Sequence, residues 1–210
     1  MASVGLASSP GFAEQRVKDE KPFFISVGYG VASFRTTGRA AVAGYSIDGA
    51  EVALNDLGFL AVEIGRRMSP DWSITFLGGL PPTVSLEGRG AFAPQGLLRK
   101  VRYGTVMLGA QYHPLKFGRV EPYVGAGLSY THIFKTWGGS MSELNVGDTA
   151  GPYLQLGSRY KLSDRVSLFM DLRKMWQSFD TDGVAAGGLP VTVRIDPDPV
   201  SGALGVSYNF

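Results

Sequence analysis

The chain contains no cysteine, which removes a disulfide framework and any thiolate metal site and leaves the compartment open. It has no run of about eighteen apolar residues, the length a membrane-spanning helix requires, but strands cross a bilayer without one. Histidine is scarce, with only His113 and His132 available for imidazole chemistry. The formal net charge of +2 has no basic cluster behind it, so nucleic acid is not expected as a partner. What the 210 residues do hold in quantity is glycine, 29 in all, and rings, with 12 Phe, 9 Tyr and 3 Trp. Small residues and aromatics in this balance suit closely packed strands rimmed by rings. No shift in composition divides the chain, and we read one domain.

The stretch Glu121 to Phe134, EPYVGAGLSYTHIF, carries two patterns on alternate residues. Val124, Ala126, Leu128 and Tyr130 fall on one face, and Tyr123, Gly125, Gly127, Ser129 and Thr131 on the other, as a strand of period two demands. Similar alternation marks strands at about Pro22 to Arg35, Leu57 to Arg67, from Trp72 through Phe76, Val101 to His113, Thr149 to Lys161, Val166 to Trp176 and Val191 to Phe210. Segments of about ten residues are the length at which a tilted strand spans a bilayer.

The connections alternate in length. Met68 to Asp71, Pro114 to Arg119 and Leu162 to Arg165 are short turns, whereas Thr36 to Asp56, Thr83 to Lys100, Lys135 to Gly147 and Gln177 to Pro190 are long. Eight strands with this asymmetry predict an all-β fold, an eight-stranded antiparallel transmembrane β-barrel with short periplasmic turns and long external loops. Closure follows from the cost of open strand edges in lipid. A water-soluble barrel would carry its apolar residues inside. Here Glu63, Gln155, Arg159, Asp171 and Arg173 share the less apolar face of their strands, which suits a lumen, whereas an Arg in mid-bilayer costs roughly 2–4 kcal/mol. Residues 1–13 read as the remnant of a signal peptide or as a floppy N-terminus, because a basic leader and a full apolar core are missing. Residues 14–21 form a charged periplasmic lead-in, and 22–210 the barrel.

Two stretches, EPYVGAGLSYTHIF and VRIDPDPVSGALGVSYNF at Val193 to Phe210, resemble the outer membrane protein W family, which includes AlkL-type proteins. Pro122, Tyr123, Gly125, Gly127, Arg194, Asp196 and Pro197 match its recurrent motifs, and the likeness covers about Pro22 to Phe210. The final Phe210, with Tyr208, Val206 and Leu204 alternating before it, resembles the signal read by the barrel assembly machinery. The resemblance implies an outer-membrane location in a Gram-negative bacterium and passive uptake of small hydrophobic ligands. They would pass through an apolar pocket among the external loops and leave sideways through the wall. The alternative is a structural or surface-interaction barrel that transports nothing.

An eight-stranded barrel holds little more than its own side chains, so a water-filled sieve is not expected. Phe34, Leu80, Phe92, Leu97, Leu98, Trp137 and Met141 are the candidates for an apolar pocket, with loop packing or an aromatic girdle as their other reading. A lateral opening needs an interrupted hydrogen-bond ladder, and proline removes a donor. Pro81, Pro82, Pro122, Pro152, Pro197 and Pro199 are the candidates, with strand termination as the alternative for each. Glu63, Glu121, Arg159, Asp171 and Arg173 are expected to pair as a plug, because buried charges need partners. Wall-facing Trp72, Tyr112, Tyr130 and Tyr160 read as interfacial anchors. No cofactor or metal is expected, since no His or carboxylate spacing suits a closed site. Enzyme chemistry is not expected either, because Ser129 and His132 point to opposite faces.

Overall fold

The computed structural model describes residues 21–34, 37–42, 45–47, 50–91, 93–140, 145–184 and 190–210. Its strands are β1 (Phe23–Ser33), β2 (Thr37–Val42), β3 (Tyr45–Ile47), β4 (Ala50–Leu54), β5 (Leu57–Arg67), β6 (Trp72–Gly79), β7 (Thr83–Gly90), β8 (Leu97–Tyr112), β9 (Val120–Trp137), β10 (Asn145–Val146), β11 (Thr149–Lys161), β12 (Val166–Met175), β13 (Phe179–Val184), β14 (Pro190–Asp196) and β15 (Val200–Asn209). Eight of them, in the order β8-β6-β5-β1-β15-β12-β11-β9, form a sheet that closes on itself through the β8–β9 pairing. Every barrel pairing is antiparallel. The barrel is therefore the expected one, and its short turns all lie at one end.

Outward positions are apolar over long runs: Leu204 is 63% exposed and Leu128 67%. Such exposure is a liability in water and the normal condition in lipid. Trp72, Tyr112, Tyr130 and Tyr160 face outward as expected, and the Trp72 and Tyr112 rings lie 4.9 Å apart. The first and last barrel strands, β1 and β15, join at a seam where the amide N–H of Phe210 donates to the Phe23 carbonyl at 2.8 Å and their rings stack 6.0 Å apart.

Three expectations about the outer half change. The connection Thr83 to Lys100 is a β-hairpin, because β7 pairs with an extension of β8 that begins at Leu97 rather than Val101. Val84 and Leu86, both buried, alternate with Thr83, Ser85 and Glu87, so this stretch carried a strand pattern of its own. The last predicted strand is two. Pro197 and Pro199 cannot donate to a ladder, and Asp198 between them has φ 39°, so the chain turns there from β14 into β15. Finally, parts of the other long connections pair with β14 as a second sheet, β10-β13-β14-β2-β3, beyond the barrel's external end.

Inside, small residues opposite rings let the lumen fill. A Cβ at Gly65 would fall on the Phe24 ring, which is buried, and one at Gly28 would meet Phe169. Gly65→Val should therefore destabilise the folded barrel by about 1–3 kcal/mol through overpacking. Urea unfolding of protein refolded into lipid vesicles measures this, and an unshifted midpoint would contradict the ring's placement.

Candidate functional site

The strands run alternately up and down, so inward residues fall into layers. At the periplasmic end His113 and Glu121 are fully buried, with His113 Nδ1 3.0 Å from Glu121 Oε1 and Ser73 Oγ 3.1 Å from His113 Nε2. Arg67 and Lys161 reach the same carboxylate at 2.5 and 3.5 Å. One layer further out, Glu63 meets Arg173 at 3.0 Å and Arg159 at 3.3 Å, while Arg173 also holds Asp171 at 2.6 Å. Gln155 and the Tyr123 hydroxyl donate to Asp171 at 2.7 and 2.9 Å, and Gln111 Nε2 donates to Glu63. The Arg159 guanidinium lies over the Phe24 and Tyr123 rings at 4.2 and 4.8 Å.

Thus Glu63, Arg159, Asp171 and Arg173 come together across the lumen, and Glu121 does not join them. Its partners were the ones sequence reasoning missed. His113 lies two residues past Gln111, which continues the inward run Met107, Gly109, Gln111 into the turn, and that spacing was the available signal.

Above the charges the lining turns apolar. Ala61, Leu77, Met107, Tyr153 and Met175 cluster with Phe59, and beyond them Ala32, Leu57 and Val84 pack with Phe34, Leu54 and Tyr103. Between these clusters lies a cavity of about 130 Å³ whose floor includes Arg173. Phe34, Leu80, Pro82, Pro197 and Pro199 line it. Leu97, Leu98, Trp137 and Pro81 do not: Leu98 is buried elsewhere, and Trp137 sits under the Lys135 ammonium, 5.9 Å from the ring centre. Phe92 and Met141 lie outside the described residues. The sequence offered no way to find Leu57, Phe59 or Met107 as lining, because an inward apolar residue reads equally as core.

The prolines separate by their surroundings. Pro152 pairs with Leu128 in a continuous β9–β11 ladder, and its carbonyl accepts from the Trp176 amide. Pro122 pairs with Ser158 on β11 and lies beyond the last β8–β9 pair, Tyr112 with Val124. Pro81 and Pro82 occupy a break in the wall. The β6–β8 ladder stops at Leu77 with Met107, and β7–β8 pairing starts at Thr83 with Arg102. Between these points Gly78 to Pro82 and Gly104 to Val106 have no ladder partner across the gap, apart from one bond from the Tyr103 amide to the Pro82 carbonyl at 3.2 Å. The cavity lining includes wall-side Leu60, Gly79 and Leu80 at this break.

At the external end Asp148 accepts from the Tyr130 hydroxyl at 2.7 Å and the Ile133 amide at 2.9 Å, and His132 Nδ1 lies 2.7 Å away. Ser129 faces the lumen and donates to the Gly151 carbonyl, so it does not reach His132.

The OmpW family model matches residues 26–210. The chain belongs to the OmpW family. Outer membrane protein AlkL of Ectopseudomonas oleovorans is 31% identical over 169 residues, 80% of this chain and 73% of AlkL. A solid-state NMR structure of AlkL in lipid bilayers superposes with TM-score 0.70 at 26% identity, covering 100% of this chain and 97% of that one. The crystal structure of OprG from Pseudomonas aeruginosa gives TM-score 0.81 at 19% identity over 91% and 96% of the two chains. The dibenzothiophene metabolism operon protein PahQ of Pseudomonas aeruginosa is 24% identical over 97% of this chain and 93% of its own. This OmpW-family member is an outer-membrane β-barrel of a Gram-negative bacterium.

Two outcomes follow from the geometry. Glu63→Gln leaves the buried Arg159 guanidinium without a carboxylate and Arg173 with Asp171 alone, and should cost about 3–5 kcal/mol of folding stability in vesicles; a loss under about 1 kcal/mol would mean the pairs are hydrated rather than buried. The hydrogen bonds from Ile133, His132 and Tyr130 hold the Asp148 carboxyl at about 2, below the ordinary 3.8. A depressed carboxylate stabilises above its unfolded value and loses that contribution as pH falls through the folded one. The Ile133 amide resonance should therefore stay constant down to about pH 4 and move with a midpoint near 2.

Proposed function

We propose that this barrel carries small hydrophobic molecules passively from the cell exterior into the outer membrane. They enter the apolar cavity from the loop side and leave sideways at the break between Gly78–Pro82 and Gly104–Val106. The observation that carries this reading is the continuity of one apolar cavity from lumen-facing Ala61, Leu77 and Met107 to wall-facing Leu60 and Leu80, where the ladder is interrupted. Paired charges below act as a plug that turns an apolar ligand toward the wall. Crossing that layer would mean separating Glu63 and Asp171 from Arg159 and Arg173.

The driving force is transfer of apolar surface into hydrocarbon, about 25 cal/mol per Å², and no energy source is needed. The likeness to AlkL and to a dibenzothiophene-operon protein supports apolar ligands, aliphatic or aromatic. Pro81 and Pro82 keep the break open because neither can donate a ladder bond.

The test is uptake of an alkane and an aromatic into cells with and without the barrel, beside a water-soluble sugar. Faster apolar uptake with no change for the sugar is expected. Leu80→Asp places a carboxylate at a position 69% exposed on the wall side of the break and should slow apolar uptake about tenfold or more at equal levels of inserted protein. Equal apolar uptake with and without the protein would refute transport and leave a surface-interaction barrel.

A further inference from the structure

Along β8 the outward side chains from the periplasmic end are Tyr112, Ala110, Leu108, Val106 and Gly104, an uninterrupted lipid-facing run. The next two outward positions are Arg102 and Lys100, both exposed. Arg102 lies ten residues above Tyr112, roughly 25 Å along the membrane normal for a strand tilted about 40°, which is the height of the apolar band of an outer-membrane barrel. The cations therefore begin where hydrocarbon gives way to headgroups.

They are also paired unfavourably. Arg102 stands directly opposite Lys135 of β9, and Lys100 stands opposite Trp137. Like charges directly across a ladder destabilise a sheet. Among the described residues the acids Glu87 and Asp148 are engaged elsewhere, since Glu87 pairs with Arg89 and Asp148 is bound by His132, Tyr130 and the Ile133 amide. Among the described residues Lys100, Arg102 and Lys135 form no ion pair, and the neighbouring Arg99 is engaged with the Gly138 carbonyl. By contrast Lys174, at the top of β12, is tied to the Asp198 carbonyl at 2.7 Å.

We propose that Lys100, Arg102 and Lys135 form a binding site for the phosphorylated headgroup of an outer-leaflet glycolipid. Its phosphate neutralises the opposed cations, and its acyl chains run down the wall over Gly104 and Val106, across the break that flanks the cavity. An anionic lipid fits better than a soluble anion because the cations sit on the lipid-facing side, directly above an apolar run, with the Trp137 indole beside Lys135. The site stands on wall geometry and charge and does not depend on transport.

The experiment uses the full chain in detergent micelles and measures, by native mass spectrometry, binding of bisphosphorylated lipid A, its dephosphorylated form and inorganic phosphate. Bisphosphorylated lipid A should bind about tenfold or more tighter than the dephosphorylated form. The double variant Arg102→Gln, Lys135→Gln should lose that preference, whereas Lys116→Gln in a periplasmic turn should keep it. Freed of the opposed charges, the double variant should unfold at the same or higher urea concentration than the parent without lipid, which separates loss of the site from loss of the fold. Equal affinity for the two lipids would overturn the proposal. So would displacement of the lipid by inorganic phosphate at comparable concentration, which would make the patch a free-anion site.

Discussion

In hydrocarbon, a backbone N–H or C=O without a partner costs several kcal/mol, and the architecture of this protein follows from that constraint. Each of the eight barrel strands is bonded on both sides, and the first and last of them are stitched at the seam where Phe210 and Phe23 exchange amide bonds. The β8–β9 ladder, which closes the cylinder, is continuous from Tyr112 with Val124 to Lys100 with Trp137 apart from one irregularity at Arg102 and Tyr103. Against such completeness, the interruption at Gly78–Pro82 stands out. It lies where two prolines remove donors and where β8 passes from pairing with β6 to pairing with β7.

The same constraint shapes the interior. With the outside given to lipid, polar side chains have only the lumen, which is too narrow for free water to solvate them. They are held by one another: two acids against two arginines in the middle layer, and a separate His–Glu–Arg–Lys group nearer the periplasm. Glycines leave space for the Phe24 and Phe169 rings, one of which also carries the Arg159 guanidinium. Above these layers the lining changes to leucine, methionine and phenylalanine. The lumen therefore holds an apolar chamber over a charged floor, with the interrupted stretch of wall beside it.

Much of the barrel was legible because strand alternation is a local property. Val124, Ala126 and Leu128 against Tyr123, Gly125 and Gly127 fix both the strand and its two environments, and the short turns fix the direction of travel. The inward direction of Glu63, Arg159, Asp171 and Arg173 followed from parity alone. The outer half was less legible. Thr83–Gly90 alternates as well as any barrel strand, but its glycines and the prolines before it read as a loop until β8 is present to pair with it.

The sequence by itself determined the eight barrel strands, their faces and the solvent, because each depends on residue type at a spacing of two along one strand, and its motifs carried the resemblance to the family. The tertiary structure alone decided which charges meet, which prolines interrupt the wall and which apolar residues surround space. Those depend on the register between strands far apart in the chain, as when Glu63 meets Arg173 or Arg102 faces Lys135. Register in turn is set by closing the whole ring, since a slip of one residue would turn every lumen charge into lipid.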